Sequence, residues 1–242
     1  MSTLAVIPAR GGSKGISKKN LRLLGGLPLV MWAITAAKLA DTITHIVLTT
    51  DSEEIAEIGY DENIDVIFRD SSLATDKALT IDVLADVIDK VSVTITNQCQ
   101  SIVLLEPTSP FRSPRIIDEC TKTFGEMEGG SVFTVTQLER NPANIFFESD
   151  GITKRYVKNP IDVYARRQEY QHLKRINGAV YVSSKDSILR GCLLSEPFAT
   201  IEMNPELSIN IDTELDLLLA ETIIEKGLLP SEFDKFLHHQ FK

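Results

Sequence analysis

Cysteine is scarce in this sequence: three residues in 242, Cys99, Cys120 and Cys192, lie far apart and without C-x-x-C spacing. That excludes a zinc ribbon and points to buried or incidental thiols kept reduced in a cytosol. Long apolar runs are missing too. None approaches the ~20 residues a membrane-crossing helix needs, and the first residues lack the basic region and apolar run of a signal peptide. The expectation is therefore a soluble, cytoplasmic chain. Positive charge is in deficit, with a formal net charge of −9, which argues against a general nucleic-acid binder and against an anionic membrane surface. Internal repeats and low-complexity segments are absent. So are the two best-known nucleotide signatures, G-x-x-x-x-G-K-[ST] and G-x-G-x-x-G.

What is present is enough apolar sequence, 43% of residues, for one large α/β domain with a substantial core. Against the acidic background one stretch stands out. Arg10-Gly11-Gly12-Ser13-Lys14-Gly15-Ile16-Ser17-Lys18-Lys19-Asn20 holds three glycines, two hydroxyls, four cations and no acid. It follows an apolar run, Leu4 to Ile7, that reads as a first buried strand. Glycine frees backbone N–H groups for close approach, and Lys and Arg neutralise charge, so the loop suits a triphosphate. Its place at the carboxyl end of strand one is where open α/β sheets bind ligands. A basic surface loop is the bland alternative.

The rest of the chain alternates strand and helix. A helix runs from Pro28 to Leu39 with proline in its first turn, and His45 to Thr49 is a strand. Asp51-Ser52-Glu53-Glu54 opens the next helix, with Asp51 read as its cap in preference to a site residue. Ile64 to Phe68 forms a third strand, Thr80 to Lys90 a helix, and Ser101 to Leu105 a central parallel strand. Ser113-Pro114 supplies the cap and first proline of a helix through Met127, and Ser131 to Thr136 is another strand. This order predicts a mostly parallel sheet with helices on both faces. From Gln137 to Arg175 the pattern breaks into short hairpin-like pieces, the mark of a lid, a binding excursion or a subunit contact. Strands near Gly178 to Val182, Thr200 and Ile209 follow, then a last helix from Leu215 to Glu225. The segment 228–242 is expected to be a peripheral tail outside a domain of residues 1–227.

In such a sheet three loops should converge: Arg10–Asn20, Glu106–Arg112 and Ser208–Asp212. They bring cations, a carboxylate with hydroxyls, and a second carboxylate. Acids beside a triphosphate cradle make sense if they hold Mg²⁺, which takes carboxylate and phosphate oxygens and keeps several waters. For Asp212 a helix-capping role is equally open, with Thr213 and Asp216 beside it able to cap locally.

Four stretches together, Ile7 to Gly15, Pro107 to Arg112, Asn177 to Tyr181 and Ile211 to Asp216, resemble the signatures of the acylneuraminate cytidylyltransferases. These are the CMP-sialic acid synthetases and their relatives acting on other nonulosonic acids such as legionaminic acid. The resemblance runs from about Leu4 to Ile224. It implies a single Rossmann-like domain with a dimerisation excursion at 137–175, a homodimer, and two substrates, CTP and a sugar acid. It also implies roles for individual residues. Arg10, Gly12, Ser13 and Lys14 would hold the CTP phosphates, Lys19 the α-phosphate and leaving pyrophosphate, and Asn20 the ribose, with Arg69 and Thr80 near the cytosine. Glu106, Ser109, Asn144, Arg167, Arg175 and Tyr181 would face the sugar, an arginine fork suiting its carboxylate. Asp212 would carry Mg²⁺; Glu106 and Asn210 are added to it as metal ligands on the chemistry of this chain's own residues.

Three positions depart from the family pattern. Asn210 stands where an aspartate is common, and Glu106 where glutamine is common, so the second metal carboxylate is expected to have moved to Glu106. Asn144 stands where sialic-acid enzymes often have lysine, which leaves sialic acid and a legionaminic-type sugar both open. No histidine lies in the matched loops, so a histidine base is not expected. Two other readings compete: a metal-dependent glycosyltransferase using Asn210–Asp212 as a degenerate metal turn, and a catalytically silent nucleotide-binding subunit. The triphosphate-suited loop speaks against the first, and its pyrophosphate-clamping cations against the second.

Overall fold

The structure, a computed structural model, describes residues 2–91, 95, 99–156 and 173–237. Its frame is a seven-stranded sheet. The first strand, β1 (Ser2–Pro8), is apolar on both sides because both faces are covered. Leu4 and Val6 pack into one core cluster with Leu84, Val87 and Ile88. Ala5 and Ile7 pack into the other with Trp32, Ala33 and Ile117. Two short strands, β2 (Leu23–Leu24) and β3 (Leu27–Pro28), pair as a hairpin ahead of α1 (Leu29–Leu39). Pro28 is thus the residue before the helix rather than a member of its first turn.

There follow β4 (His45–Thr50), α2 (Glu53–Asp61), β5 (Asp65–Phe68), α3 (Thr80–Lys90), β6 (Cys99–Leu104), α4 (Pro114–Glu126) and β7 (Ser131–Gln137). As expected, Ser113 caps α4, its hydroxyl accepting from the Ile116 N–H with Pro114 in the first turn. The excursion carries the antiparallel hairpin β8 (Phe146–Ser149) and β9 (Ile152–Arg155). Then come β10 (Lys174–Ser184), α5 (Lys185–Leu189), β11 (Phe198–Glu202), α6 (Glu214–Glu225) and α7 (Asp234–Leu237).

The strand order is β11-β7-β10-β6-β1-β4-β5. Every pairing is parallel except those of β10, which runs against both β6 and β7. The chain builds outward from β1 to β4 and β5, then crosses back to lay β6 on the other side of β1. The loops after β1 and β6 therefore flank a topological switch point, the crevice where open α/β sheets take their ligands.

Two expectations are corrected here. Near Ile209 there is no strand. A 3₁₀ turn, Pro205–Leu207, leads into a loop whose Ile211 N–H donates to Thr108 O at 2.7 Å, so that backbone group is satisfied by the β6 loop instead of a sheet neighbour. Residues 228–237 are not a peripheral tail. Phe233 and Phe236 are buried, and their rings lie 6.5 and 5.4 Å from Trp32, with Phe233 6.2 Å from Phe111. The Trp32 indole N–H, inside this cluster, donates to Leu24 O at 3.0 Å.

Candidate active site

The three loops do meet. A cavity of about 270 Å³ opens at the switch point, lined among others by Arg10, Ser13, Lys19, Asn20, Arg69 and Glu106. Thr80, at the start of α3, lines it too. Ile16, fully buried, anchors the basic loop to the core, and Asn20 closes it, its amide donating to Arg10 O at 2.9 Å. A methyl group on Gly15 would run into the Asp212 carbonyl oxygen, so only glycine lets the first and third loops touch.

On this wall the charges are paired and partly open to solvent. Lys19 Nζ lies 2.8 Å from Asp212 Oδ1. Arg10 Nη1 and Lys14 Nζ lie 2.8 and 2.9 Å from the two oxygens of Asp76. Those contacts, from Lys14 first and then Arg10, hold the Asp76 carboxyl below the usual range. Asp51 does not cap α2. Ser52 stands at that cap, and Asp51 Oδ1 accepts from the Gly11 N–H at 2.8 Å, tying down the start of the loop. Arg69 is buried, and its Nε has no partner. Burial depresses its pKa, with Asp51 opposing. A buried guanidinium with an unused donor beside a cavity is a place for a polar ligand edge.

The opposite wall is built differently. Glu106 and Ser109 close a turn, Ser109 N–H donating to Glu106 O at 3.2 Å with Pro107 at its second position. Behind it Arg112 is fully buried and donates through Nη2 to the same carbonyl, while its Nε and Nη1 have no partner. Burial pushes Arg112 down to about 9, with Glu106 opposing, so it stays cationic at neutral pH. Burial likewise raises the Glu106 carboxyl, Arg112 pulling it back and Asp212 adding to the rise. Tyr181 is pushed up to about 12 by burial and by the Glu106 charge, so its phenol is neutral. Gly178 sits at φ +80° in an irregular stretch of β10. A Cβ there would lie 3.2 Å from Ser109 Oγ, 3.5 Å from Asn210 Nδ2 and 3.6 Å from Glu106 Oε2. Next to it Asn177 joins four elements. It accepts from Thr134 Oγ1 at 2.6 Å, donates to Ser208 Oγ at 3.0 Å, and offers its carbonyl to Ser109 Oγ.

The helix-capping alternative for Asp212 falls away. Thr213 and Asp216 form a reciprocal capping box at the start of α6, which leaves the Asp212 carboxylate exposed and facing Lys19. Among the described residues no cluster of three His, Cys, Asp or Glu could hold a metal unaided. Glu106, Asp212 and Asn210 offer oxygen donors, and the two carboxylates repel each other, which a divalent cation would relieve. With phosphate oxygens and water completing the shell, that donor set fits Mg²⁺.

Other expected site residues stand apart. Gly12 is exposed in the loop, with nothing within 4 Å of a Cβ built on it. Asn144 is exposed in a 3₁₀ turn, Pro142–Asn144, and Arg175 pairs with Glu139 at 3.2 Å. Neither lines the cavity. Arg167 lies outside the described residues. Asp76, Arg112 and Asn177 were not singled out from the sequence. Arg112 and Asn177 stand in two of the signature stretches, and Arg112 is also a lone charge within the proline-flanked stretch Pro110 to Pro114; Asp76 had no such signal.

Comparison with known proteins decides the class. The sequence profile described as cytidylyltransferase matches residues 4–202. This chain belongs to the cytidylyltransferase family. A CMP-N,N'-diacetyllegionaminic acid synthase of Legionella pneumophila is 33% identical over 230 residues, 93% of this chain and 97% of that one. An N-acylneuraminate cytidylyltransferase of Streptococcus agalactiae is 32% identical over 224 residues, 90% of this cytidylyltransferase but 52% of that one. The chain spans about half the length of that longer relative. A CMP:2-keto-3-deoxy-manno-octonic acid synthetase solved in complex with CTP superposes with a TM-score of 0.70 at 16% identity, covering 94% of this chain and 100% of the other. At that identity the likeness establishes the Rossmann-like fold.

Proposed function

We propose that this cytidylyltransferase transfers CMP from CTP to the anomeric hydroxyl of a nonulosonic acid, a sialic acid or a legionaminic-type relative, releasing pyrophosphate. The observation that carries the reading is the meeting, at one switch-point cavity, of a loop bearing Arg10, Lys14 and Lys19 with the Glu106 carboxylate that lines the cavity and the Asp212 carboxylate paired to Lys19. In this reading Arg10, Ser13, Lys14 and the Gly12 N–H hold the β- and γ-phosphates. Lys19 faces the α-phosphate, Asn20 the ribose, and Arg69 with Thr80 the base. Glu106, Ser109 and Tyr181 form the sugar-side wall; Asn144, Arg167 and Arg175, none of them among the cavity-lining residues described, remain part of the proposed sugar site. Glu106, Asp212 and Asn210 hold Mg²⁺, which when bound neutralises phosphate charge as a Lewis acid. The chain's own part is positioning and charge: cations fixed around developing negative charge lower the barrier without reorganising.

The cytidylyltransferase works in the cytoplasm as a homodimer formed through residues 137–175. Supporting the dimer, Phe146, Phe147, Ile152 and Tyr156 stand exposed on and beside the β8–β9 hairpin, an apolar surface a monomer seldom leaves open. Incubation with CTP, Mg²⁺ and a panel of nonulosonic acids should release pyrophosphate with at least one of them. Tight CTP binding without release from any acid would overturn the reading in favour of a silent nucleotide binder.

A further inference from the structure

Each of the four cations in the loop after β1 already has an anionic partner. Lys18 lies 2.7 Å from Glu54, Lys19 pairs with Asp212, and Arg10 and Lys14 share Asp76. The three carboxylates differ in kind. Glu54 belongs to the first turn of α2 and does not line the cavity. Asp212 is a metal ligand in the reading above. Asp76 is neither: it stands on the segment between the 3₁₀ turn Ser71–Ala74 and α3, and it lines the cavity facing the basic loop.

Asp76 spreads its oxygens as a phosphate would. Oδ1 takes the Arg10 guanidinium and Oδ2 the Lys14 ammonium, while Arg10 Nη1 also reaches Ala74 O at 3.4 Å. The Asp76 side chain is 37% exposed and that of Lys14 80%. Ion pairs open to water are weak, and a polyphosphate carrying several charges can displace this carboxylate from the clamp. After displacement the carboxylate remains on the neighbouring segment, where it repels the anion that replaced it.

We propose that Asp76 is a specificity-determining counter-anion: it fills the phosphate clamp between turnovers and sets the affinity for the polyphosphate and the release of pyrophosphate, without acting on cytidine. This rests on the CTP reading above. Three consequences follow from the electrostatics. Removing the charge should tighten polyphosphate binding, the change should shrink at high salt as screening grows, and pyrophosphate should leave more slowly.

The test is calorimetric binding of inorganic pyrophosphate, CTP and cytidine to the full chain, its Asp76→Asn variant and its Asp76→Glu variant. In Asp76→Asn, pyrophosphate and CTP should bind about tenfold tighter, the scale of losing two partly exposed ion pairs, with cytidine unchanged. Pyrophosphate should inhibit that variant more strongly as kcat falls. Asp76→Glu, which keeps the charge, should stay near wild type. If wild type binds pyrophosphate and CTP but Asp76→Asn binds them no tighter, the proposal fails and the CTP reading stands. It also fails if Asp76→Glu tightens binding equally, or if cytidine tightens in parallel, since both would mean a change of shape. A wild-type chain that bound neither CTP nor pyrophosphate would overturn the reading beneath it.

Discussion

The two walls of the cavity are made of the same kinds of group and behave in opposite ways. On the β1 side, Arg10, Lys14 and Lys19 meet carboxylates that water reaches, Asp76 at 37% and Asp212 at 66% exposure. On the β6 side, Glu106 and Arg112 lie among buried hydrogen bonds that run through Ser109, Asn177, Thr134 and Ser208. Exposed pairs are cheap to exchange, so the first wall can trade protein carboxylates for phosphates. Buried charges are costly to strand, so the second wall keeps its shape while ligands come and go.

The sharpest way to break that contrast is to remove one charge from the fixed wall. Arg112→Met should cost about 3 kcal/mol of stability, because it removes the buried donor to the Glu106 carbonyl and the positive charge that offsets the Glu106 carboxylate. Adding Glu106→Gln should recover only the part of the loss owed to the unbalanced carboxylate, so urea unfolding of both variants provides the measurement. A loss under about 1 kcal/mol for Arg112→Met would erase the difference between the walls. The matching change on the exchangeable wall is Lys19→Ala. It should lower kcat by roughly 10²–10³, about 3–4 kcal/mol of barrier, with far less effect on unfolding. Equal losses in both assays would place Lys19 with the fixed wall.

Smaller effects sharpen the boundary. Asp216 is pushed up by desolvation but more than offset by hydrogen bonds from the Thr213 hydroxyl and backbone, so its pKa lies below the usual range. A depressed carboxylate stabilises the fold above its unfolded pKa, about 3.9, and loses that contribution as pH falls through the folded value. Asp216→Ala should cost about 1 kcal/mol near neutrality, the scale of a lost cap, and a thermal melt series should show a shallower acid limb than wild type. Least of all, Glu54→Gln should change stability by less than about 0.5 kcal/mol, since its pair with Lys18 is exposed.

Much of this was legible because it is written locally. Leu4 to Ile7 and Ser101 to Leu105 are continuous apolar runs that only a doubly covered sheet requires. The Ser113-Pro114 pair marks a helix start within one turn, and the switch-point rule then placed the Arg10–Asn20 and Glu106–Arg112 loops side by side. What escaped depends on partners distant in sequence. The strand β10 was read only as Gly178 to Val182, since its first half, Lys174 to Asn177, is polar and its ladder with Thr136 and Val135 lies some forty positions back. Asp51 looked like a cap because its neighbours are acidic and helical; its partner, Gly11, is forty residues away. Asp76 carries no local pattern at all, and neither do Phe233 and Phe236, whose meaning is Trp32.

That aromatic cluster has a consequence for the order in which the cytidylyltransferase is made. Phe111 belongs to the loop that carries Glu106 and Arg112, and it is backed by Phe233. On the ribosome, β1, β6 and the basic loop are all synthesised well before residues 233–236. The underside of the Glu106–Arg112 loop therefore waits, its aromatic face uncovered, for a short helical segment more than a hundred residues downstream to close it.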